Sequence, residues 1–371
     1  GGSVINGIID GEGGNDKITV NNSKISGKAI KNDKGDIIGY EAIKGGDGVD
    51  TISIQNKSNV KGNISGDQGD DKISVQNESN VKGNISGDQG DDTISVQNKS
   101  KVEGNISGDQ GGNTITVEGG SKVAGWVYGA NAGMYSETGN NTITVTGENT
   151  DVSRVGDVSS GDSTITISDK AKVKSVHGDR GVDTITVDNA SVTEKIEGGH
   201  GDDVINIKNG AKVKEVKGDL DNDTIKVADK NTHVEKVDGD KGDDTLIVEN
   251  GAKVDSTVLD AGNDTKMTTT NNNGNLTINS LDKGDTIDLS KIAKVTENIN
   301  SVDASAVNNA VVNVDPKDVL DLGSENKTLE IKGGSDDTVK SKSSGQWSAD
   351  GSDATHKSFT GSTNDDNGVA Q

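Results

Sequence analysis

A short turn rich in glycine and aspartate recurs along the chain, and its residues have the clearest potential for chemistry. It reads G-[GD]-x-G-x-D-x-[IVL], as in GDQGDDKI at 66–73 and GGHGDDVI at 198–205. If such turns stack on one another, the carboxylates of neighbouring turns repel at close range unless a cation lies between them. The turn therefore indicates a row of cation ligands. The alternative is a series of tight turns on a solvated edge.

The spacing of these turns shows an internal repeat. Residues 45–107 contain three nearly identical units of 21 residues. A weaker repeat continues on both sides, and the polar residue before each short apolar run traces it. Most steps between these residues are 20 to 22, and two are longer, so we expect insertions near 24–44 and 120–137. The traced residues are Asp16, Asp50, Asp71, Asp92, Asn113, Asn141, Ser163, Asp183, Asp203, Asp223, Asp244 and Asp264.

Hydrophobic periodicity within each repeat predicts strands. Ile73 and Val75 alternate with Lys72 and Ser74, which is the period of two expected of a β-strand. Two short strands per repeat, joined by turns, predict an all-β fold: a right-handed parallel β-solenoid of about 20–21 residues per coil. Stacked coils bury the apolar face that a single coil cannot bury alone. The expected interior columns are Ile52, Ile73, Ile94 and Ile115 on one side and Val60, Val81, Val102 and Val123 on the other.

The composition of the 371 residues agrees with a thin core. Only 28% are hydrophobic and 2% aromatic, which argues against an enzyme fold with one deep centre. We find no nucleophile elbow, phosphate loop or zinc motif, and we expect no enzyme. The net charge of −23 argues against nucleic acid and anionic membranes as partners. Cysteine is absent, and no run of about 18 apolar residues predicts a membrane span.

The repeated turn resembles the nonapeptide GGxGxDxUx of the repeats-in-toxin (RTX) proteins. The resemblance implies a calcium-binding β-roll in a protein exported by type I secretion. Calcium prefers about six to eight oxygen ligands, and glycines let a turn bend so that its carbonyls face inward. Here the turn occurs once per coil instead of in tandem, so only one edge of the solenoid would carry calcium.

This resemblance assigns candidate ligands to the first glycine, the third residue and the last aspartate of each turn. In a single row, each aspartate is expected to serve two ions, one above and one below. The middle coils, with Asn113, Asn141 and Ser163 in the row, are expected to be poor in metal. The candidate calcium ligands are Gly45, Asp47, Asp50, Gly66, Gln68, Asp71, Gly87, Gln89, Asp92, Gly178, Arg180, Asp183, Gly198, His200, Asp203, Gly218, Leu220, Asp223, Gly239, Lys241, Asp244 and Asp264.

Two regions depart from the repeat. The second insertion holds Trp126, Tyr128, Met134 and Tyr135, which indicate either a packing plug or a contact site. After the solenoid at 1–267, residues 268–371 are expected to form a small β-rich C-terminal domain. Part of it, with VLDL and LEIKGGSDD, resembles the last folded module of large adhesins of type I secretion.

Three functions follow from these observations. The first is a calcium-binding structural or adhesive protein of a bacterial cell surface, an adhesin or surface (S-) layer component. The alternative is the C-terminal secretion and folding module of an RTX toxin or secreted hydrolase. A third is a lectin that uses the insertion at 120–137. The expected location is extracellular. The expected partners are calcium ions and, beyond them, further copies of the chain, cell-surface glycans or a host surface.

Overall fold

The structure of the protein, a computed structural model, is almost entirely β and forms a β-solenoid of about 11 turns of about 21 residues. The predicted fold class is therefore confirmed. The structure describes residues 2–130, 139–157, 161–242 and 244–258 continuously. Beyond them it describes 266–272, 275–281, 286–289, 301–304, 311–315, 317–319, 329–333, 338–340, 347–352 and 357–361.

Each coil contributes one strand to a sheet that follows the aspartate turns, here called sheet 2. Its strands pair in parallel and in register, as when Ile73 lies between Ile52 and Ile94. The β-branched residues of each strand point inward and the polar ones outward, which matches the predicted alternation. The strands of sheet 2 are β3 (Lys17–Asn21), β7 (Thr51–Gln55), β10 (Lys72–Val75), β13 (Thr93–Val96), β16 (Thr114–Glu118), β18 (Thr142–Thr146), β20 (Thr164–Ser168), β22 (Thr184–Asp188), β24 (Val204–Lys208), β26 (Thr224–Ala228), β28 (Asp244–Glu249), β30 (Lys266–Asn272), β31 (Asn275–Leu281), β33 (Ser301–Asp303) and β35 (Glu330–Lys332).

The other side of each coil belongs to a second long sheet, here called sheet 1. In the three most regular coils its strand is split in two around a glycine such as Gly83. Sheet 1 consists of β1 (Val4–Ile5), β2 (Ile9–Asp10), β4 (Lys24–Ile25), β5 (Lys28–Lys31), β6 (Ile37–Asp47), β8 (Asn59–Val60), β9 (Asn63–Gln68), β11 (Asn80–Val81), β12 (Ile85–Gln89), β14 (Lys101–Val102), β15 (Ile106–Gln110), β17 (Lys122–Tyr128), β19 (Asp151–Gly156), β21 (Lys172–Arg180), β23 (Ser191–His200), β25 (Lys212–Leu220), β27 (His233–Lys241) and β29 (Lys253–Val258).

The core lies between the two sheets as columns of aliphatic side chains. The predicted isoleucine column from Ile52 to Ile115 is fully buried, and the valine column from Val60 to Val123 is at most 2% exposed. Both columns follow the strand register. Because facing side chains from two sheets fill the interior, this core contains no aromatic side chain among the described residues.

The two predicted insertions differ in form. Residues 28–41 form an antiparallel hairpin of β5 and β6 on the edge of sheet 1, as expected for the first. The second was placed too early. Strand β17 is regular, because Val123 pairs with Val102 and Val127 pairs with Ile106, so the extra residues of that coil follow Tyr128. Met134 and Tyr135 lie outside the described residues.

The turns opposite the aspartates are held by side-chain ladders. One is an amide ladder, in which Asn77 Nδ2 donates to Asn56 Oδ1 at 3.0 Å and Asn98 Nδ2 donates to Asn77 Oδ1 at 3.2 Å. Lys57 and Glu78 form an exposed ion pair at 3.6 Å across neighbouring coils. Like the strands, these ladders repeat once per coil and fix the register of the stack.

Sheet 2 continues past residue 267, because β30 pairs in parallel with β28. Strand β31 then turns back antiparallel to β30, and β33 and β35 extend the sheet from β31. Two small sheets follow: one of β32 (Thr286–Asp288), β34 (Val311–Asn313) and β36 (Thr338–Lys340), and a hairpin of β37 (Trp347–Ser352) and β38 (Lys357–Gly361).

The interior columns give a direct test of the stacking. Replacing Ile94 with alanine should lower the free energy of unfolding by about 2–5 kcal/mol, because Ile94 is fully buried between Ile73 and Ile115. Thr93→Ala, on the outward face of the same strand, should change it by less than about 0.5 kcal/mol. Urea denaturation of both variants measures the difference, and equal effects would contradict the described register.

Candidate metal site

The aspartate turn brings one carboxylate per coil to the buried edge between the sheets. In the coil at 66–73, Asp67 and Gly69 have φ values of 73° and 127°, so the chain turns sharply before β10. Such left-handed conformations favour glycine and, less strongly, aspartate. The turn leaves Asp71 2% exposed, and Asp183 and Asp223 are 0% exposed. These buried residues and their equivalents are here called the aspartate row.

One carboxylate oxygen of each row residue ties two coils together. The backbone N–H of Asp71 donates to Oδ1 of Asp92 at 2.8 Å, and that of Asp183 donates to Oδ1 of Asp203 at 2.7 Å. A hydrogen bond to a charged acceptor is stronger than a neutral one. The carboxylates therefore stabilise the stack through Oδ1, whether or not a metal is bound.

The second carboxylate oxygen, Oδ2, is buried and accepts no hydrogen bond from the described residues. It points at the first glycine of its own turn. A Cβ atom on Gly198 would lie 2.5 Å from Oδ2 of Asp203 and 2.7 Å from the carbonyl oxygen of Gly218 in the next coil. Two oxygens thus lie close to one point beside the Gly198 Cα, and Oδ2 has no hydrogen-bond donor among the described residues. The unpaired Oδ2 atoms belong to Asp16, Asp50, Asp71, Asp92, Asp183, Asp203 and Asp223.

These donor-free points repeat along the row. The same arrangement of an aspartate Oδ2 and a glycine carbonyl from the next coil is present at Gly11, Gly45, Gly66, Gly178, Gly198 and Gly218. A buried polar atom without a partner costs about 1–3 kcal/mol, and more when it is charged. Carboxylates one coil apart, at about 4.8 Å, add roughly 3–4 kcal/mol of repulsion per pair at an effective dielectric constant of about 20. A proton on Oδ2, or a cation bound between Oδ2 and a neighbouring oxygen, removes both penalties.

The central coils show what the row does without aspartate. Oδ1 of Asn113 accepts the backbone N–H of Asp92 at 2.9 Å, as the aspartates of the row do for their neighbours. Its Nδ2 replaces the unpaired oxygen and donates to the carbonyl of Gly129, the first glycine of the next coil, at 3.3 Å. An amide therefore supplies the donor that the aspartate coils lack.

In the coil of Ser163, the buried carboxylate lies at the first-glycine position of the turn, and serine occupies the aspartate position. Strand register places Asp157 where neighbouring coils have the first glycine, because Gly156 pairs with His177, which precedes Gly178. Asp157 is 2% exposed, and its Oδ2 accepts from Ser163 Oγ and from Asn141 Nδ2, both at 2.6 Å. Its carboxylate thus has hydrogen-bond donors within the protein.

Burial perturbs the protonation of the aspartate row. For five carboxyls of the row, loss of hydration raises the pKa, the backbone hydrogen bond on Oδ1 opposes the rise, and neighbouring carboxylates add to it. The pKa is raised to about 6 for Asp71, about 7 for Asp92 and Asp203, about 8 for Asp183 and about 9 for Asp223.

Each point supplies two oxygens of the types that calcium binds in proteins, a carboxylate and a backbone carbonyl, out of the about six to eight that a calcium ion takes. Asp203 Oδ2 and the Gly218 carbonyl are one such pair of oxygens. The described residues contain no group of three or more His, Cys, Asp or Glu side chains placed to hold a metal. With one carboxylate per point, we expect weak affinity, in the range of about 10⁻⁴–10⁻³ M that suits extracellular calcium sites.

The candidate ligands from the sequence fall into two sets. The first glycines and the aspartates come together at the buried points. The third residues end the strands of sheet 1, and the carbonyls of Asp47, Gln68 and Gln89 accept backbone N–H bonds from neighbouring coils at 2.7–2.8 Å. Oδ1 of each row aspartate accepts a backbone N–H where such a bond is recorded, and Oδ2 lies beside the first glycine; the expectation that each aspartate serves two ions stays a prediction. Asp264 lies outside the described residues.

Three features were missed in the sequence. Gly11 and Asp16 complete a further point, and their turn GEGGND carries the same signal as the others. No sequence motif marks Asp157, because its place at the first-glycine position makes sense only together with serine, Ser163, at the aspartate position. A second, exposed row binds the coils in the opposite direction, as when Oδ1 of Asp70 accepts the backbone N–H of Asp91 at 2.8 Å.

No family model matches this sequence, and no curated protein or solved structure shows detectable similarity to it. Among the helical residues that the structure describes, none form a helix long and apolar enough to cross a membrane.

The raised pKa values predict how the metal-free protein responds to pH. The folded state binds more protons than the unfolded state between about pH 4 and the raised pKa values of about 6 to 9. The stability from these carboxyls is therefore present at low pH and is lost as the pH rises. In chelator, the free energy of unfolding should fall between about pH 5.5 and pH 8.5. Urea denaturation across this range measures it, and a rise with pH would contradict the unpaired Oδ2 geometry.

The row also predicts the effect of a single amide. Asp203→Asn should stabilise the metal-free protein at about pH 8 by about 1–3 kcal/mol, because its amide can donate to the Gly218 carbonyl as Asn113 does to Gly129. The same variant should bind one calcium ion fewer.

The matched control is Asp202→Asn, the adjacent exposed carboxylate, which accepts the backbone N–H of Asn222 at 2.9 Å. It removes the same charge and should leave calcium stoichiometry unchanged. Urea denaturation in chelator and titration calorimetry compare the two variants. Destabilisation by Asp203→Asn in chelator would count against the account.

Proposed function

We propose that this chain is a calcium-stabilised structural segment of an extracellular protein at a bacterial cell surface, an adhesin or S-layer component exported by type I secretion. The series of donor-free points along one edge of the solenoid supports the proposal most strongly. Each point presents a buried carboxylate oxygen and a glycine carbonyl to the same small volume. The resemblance of the turns to the RTX nonapeptide points to the same ion and export route.

The chemistry of the points suits a protein that works outside the cell. Sites with one carboxylate each fill only where calcium is abundant, at about millimolar concentration. Without the ion, the aspartate row must either take up protons or carry unpaired and mutually repelling charge, so the coils that contain it are less stable as the pH rises. The chain would therefore be weakly folded before export and stiffen on contact with extracellular calcium.

The shape of the fold supports a structural role. Stacked coils contact only their neighbours, so the length of the rod follows from the number of coils. About 11 coils at about 4.8 Å each give a rod of roughly 50 Å. A rod of this kind can hold a binding surface away from a cell or form part of a surface lattice.

Calcium should raise the melting temperature of the full chain, because it binds the folded row and not the unfolded chain. At about 100 times its dissociation constant, each independent site adds about 2.7 kcal/mol to the free energy of unfolding. Circular dichroism melts in excess calcium and in chelator measure the shift. Magnesium, which keeps its waters and demands octahedral geometry, is the control and should give a much smaller shift. Identical melts in calcium and chelator would refute the calcium role.

A further inference from the structure

An aromatic cluster lies on the outward face of sheet 1, away from the aspartate row. Its members are Trp126 and Tyr128 on β17, Arg154 on β19 and His177 on β21. These strands belong to the central coils, in which Asn113, Asn141 and Ser163 replace aspartate. The coils with a neutral row are thus the ones with a distinct outer surface.

The cluster is stacked and rigid. The rings of Trp126 and Tyr128 lie 5.0 Å apart between centroids with an interplanar angle of 9°. The guanidinium of Arg154 lies 4.7 Å from the centre of the Trp126 ring, and the His177 ring lies 5.5 Å from it. Aromatic and cation–π contacts at these distances fix the side chains before any ligand arrives.

A glycine makes this arrangement possible. Trp126 and His177 lie on strands separated by β19, which places their backbones about 9–10 Å apart. The residue between Tyr128 and His177 in the register is Gly156, which has no side chain to separate them. The rings of Trp126 and His177 can therefore contact each other across Gly156. Trp126 and Tyr128 remain half-buried on the outer face of the sheet.

Several cations of this face are paired with carboxylates. Lys195 pairs with Glu197, Lys217 with Asp240 at 2.9 Å, and Lys236 with Glu215 at 2.9 Å. Arg154 is exposed and forms no ion pair with any residue that the structure describes. Its guanidinium lies over the Trp126 ring instead.

We infer that this cluster binds a sugar residue that carries a carboxylate. Trp126 and Tyr128 stack on each other and Arg154 lies over Trp126, so the parts of the two rings left exposed supply the apolar contact for a pyranose ring, and Arg154 supplies the planar fork that holds a carboxylate. The inference deepens the adhesive part of the proposed function and rests on it. A single acidic sugar fits better than a long polyanion, because the net charge of −23 repels extended negative chains.

The surroundings favour a sugar over a protein partner. A stable protein interface needs about 800 Å² on each side and an apolar centre. Beyond the cluster, this face carries paired charges such as Lys195 with Glu197 and Lys236 with Asp238. The apolar contact area is therefore limited to two rings, which matches one or two sugar units.

The test uses the full chain in a Trp347→Phe background, which leaves Trp126 as its only tryptophan. Its fluorescence is titrated with methyl glucuronide and with N-acetylneuraminic acid. The matched neutral probe is methyl glucoside, which differs from the glucuronide only in the carboxylate. At least one acidic sugar should give a saturable change, with affinity about tenfold or more above that of the glucoside, the worth of one charge-assisted hydrogen bond.

Arg154→Gln should reduce the affinity for the acidic sugar to that of the glucoside, and Trp126→Ala, followed by saturation-transfer NMR, should abolish binding. Lys174→Gln removes an exposed positive charge from β21 and should change nothing. Unchanged binding by Arg154→Gln, or binding of neither acidic sugar, would overturn the inference. Loss of cell adhesion in Trp126→Ala without sugar binding would assign the cluster to a protein partner and overturn it too.

These measurements separate the inference from the proposed function. Calcium-dependent melting without sugar binding would refute only the sugar site. Equal melting in calcium and chelator with intact sugar binding would refute only the calcium role.

Discussion

The stacking of this protein depends on a carboxylate buried at the edge of each coil. Oδ1 of Asp92 holds the backbone N–H of Asp71, so the row joins neighbouring coils directly. The same burial leaves Oδ2 without a donor and raises the pKa of Asp92 to about 7. One side chain therefore stabilises the coil stack and creates a demand for positive charge. The thin aliphatic core, which lacks aromatic anchors among the described residues, makes this edge important for the register.

The central coils are natural variants of the same arrangement. Asn113 supplies a donor with its own amide, and Asp157 receives donors from Ser163 and Asn141. These coils satisfy their buried groups without an added ion. The solenoid thus has two segments with unpaired Oδ2 atoms on either side of a middle in which the row's side chains have hydrogen-bond partners. That middle also bears the stacked rings of Trp126 and Tyr128, so the surface most suited to binding does not depend on the local presence of an ion.

Most of the fold could be predicted from the sequence, because a strict repeat turns local periodicity into tertiary structure. The alternation of Ile73 and Val75 with polar neighbours was enough to predict both the strands and the interior columns of buried side chains. The boundaries of the second insertion could not be predicted, because the residues of β17 differ in type from those of β15 although they share its register. The aspartates of the candidate site were evident as a repeated motif. The different environments of Oδ1, which accepts a backbone N–H, and Oδ2, which is unpaired, could not be predicted, because they depend on the distance between coils. The exchange of Asp157 and Ser163 involves two positions in different parts of a coil, and only the strand register brings them together.

We propose that cations bind at the unpaired Oδ2 atoms of the aspartate row. Anomalous scattering from crystals grown with calcium or soaked with terbium would locate such ions directly. The account predicts peaks between an aspartate Oδ2 and the glycine carbonyl of the next coil, as beside Gly66 and Gly198, and none beside Asn113, Asn141 or Ser163. Ions beside these three residues, or ions bound only to the exposed carboxylates, would contradict it.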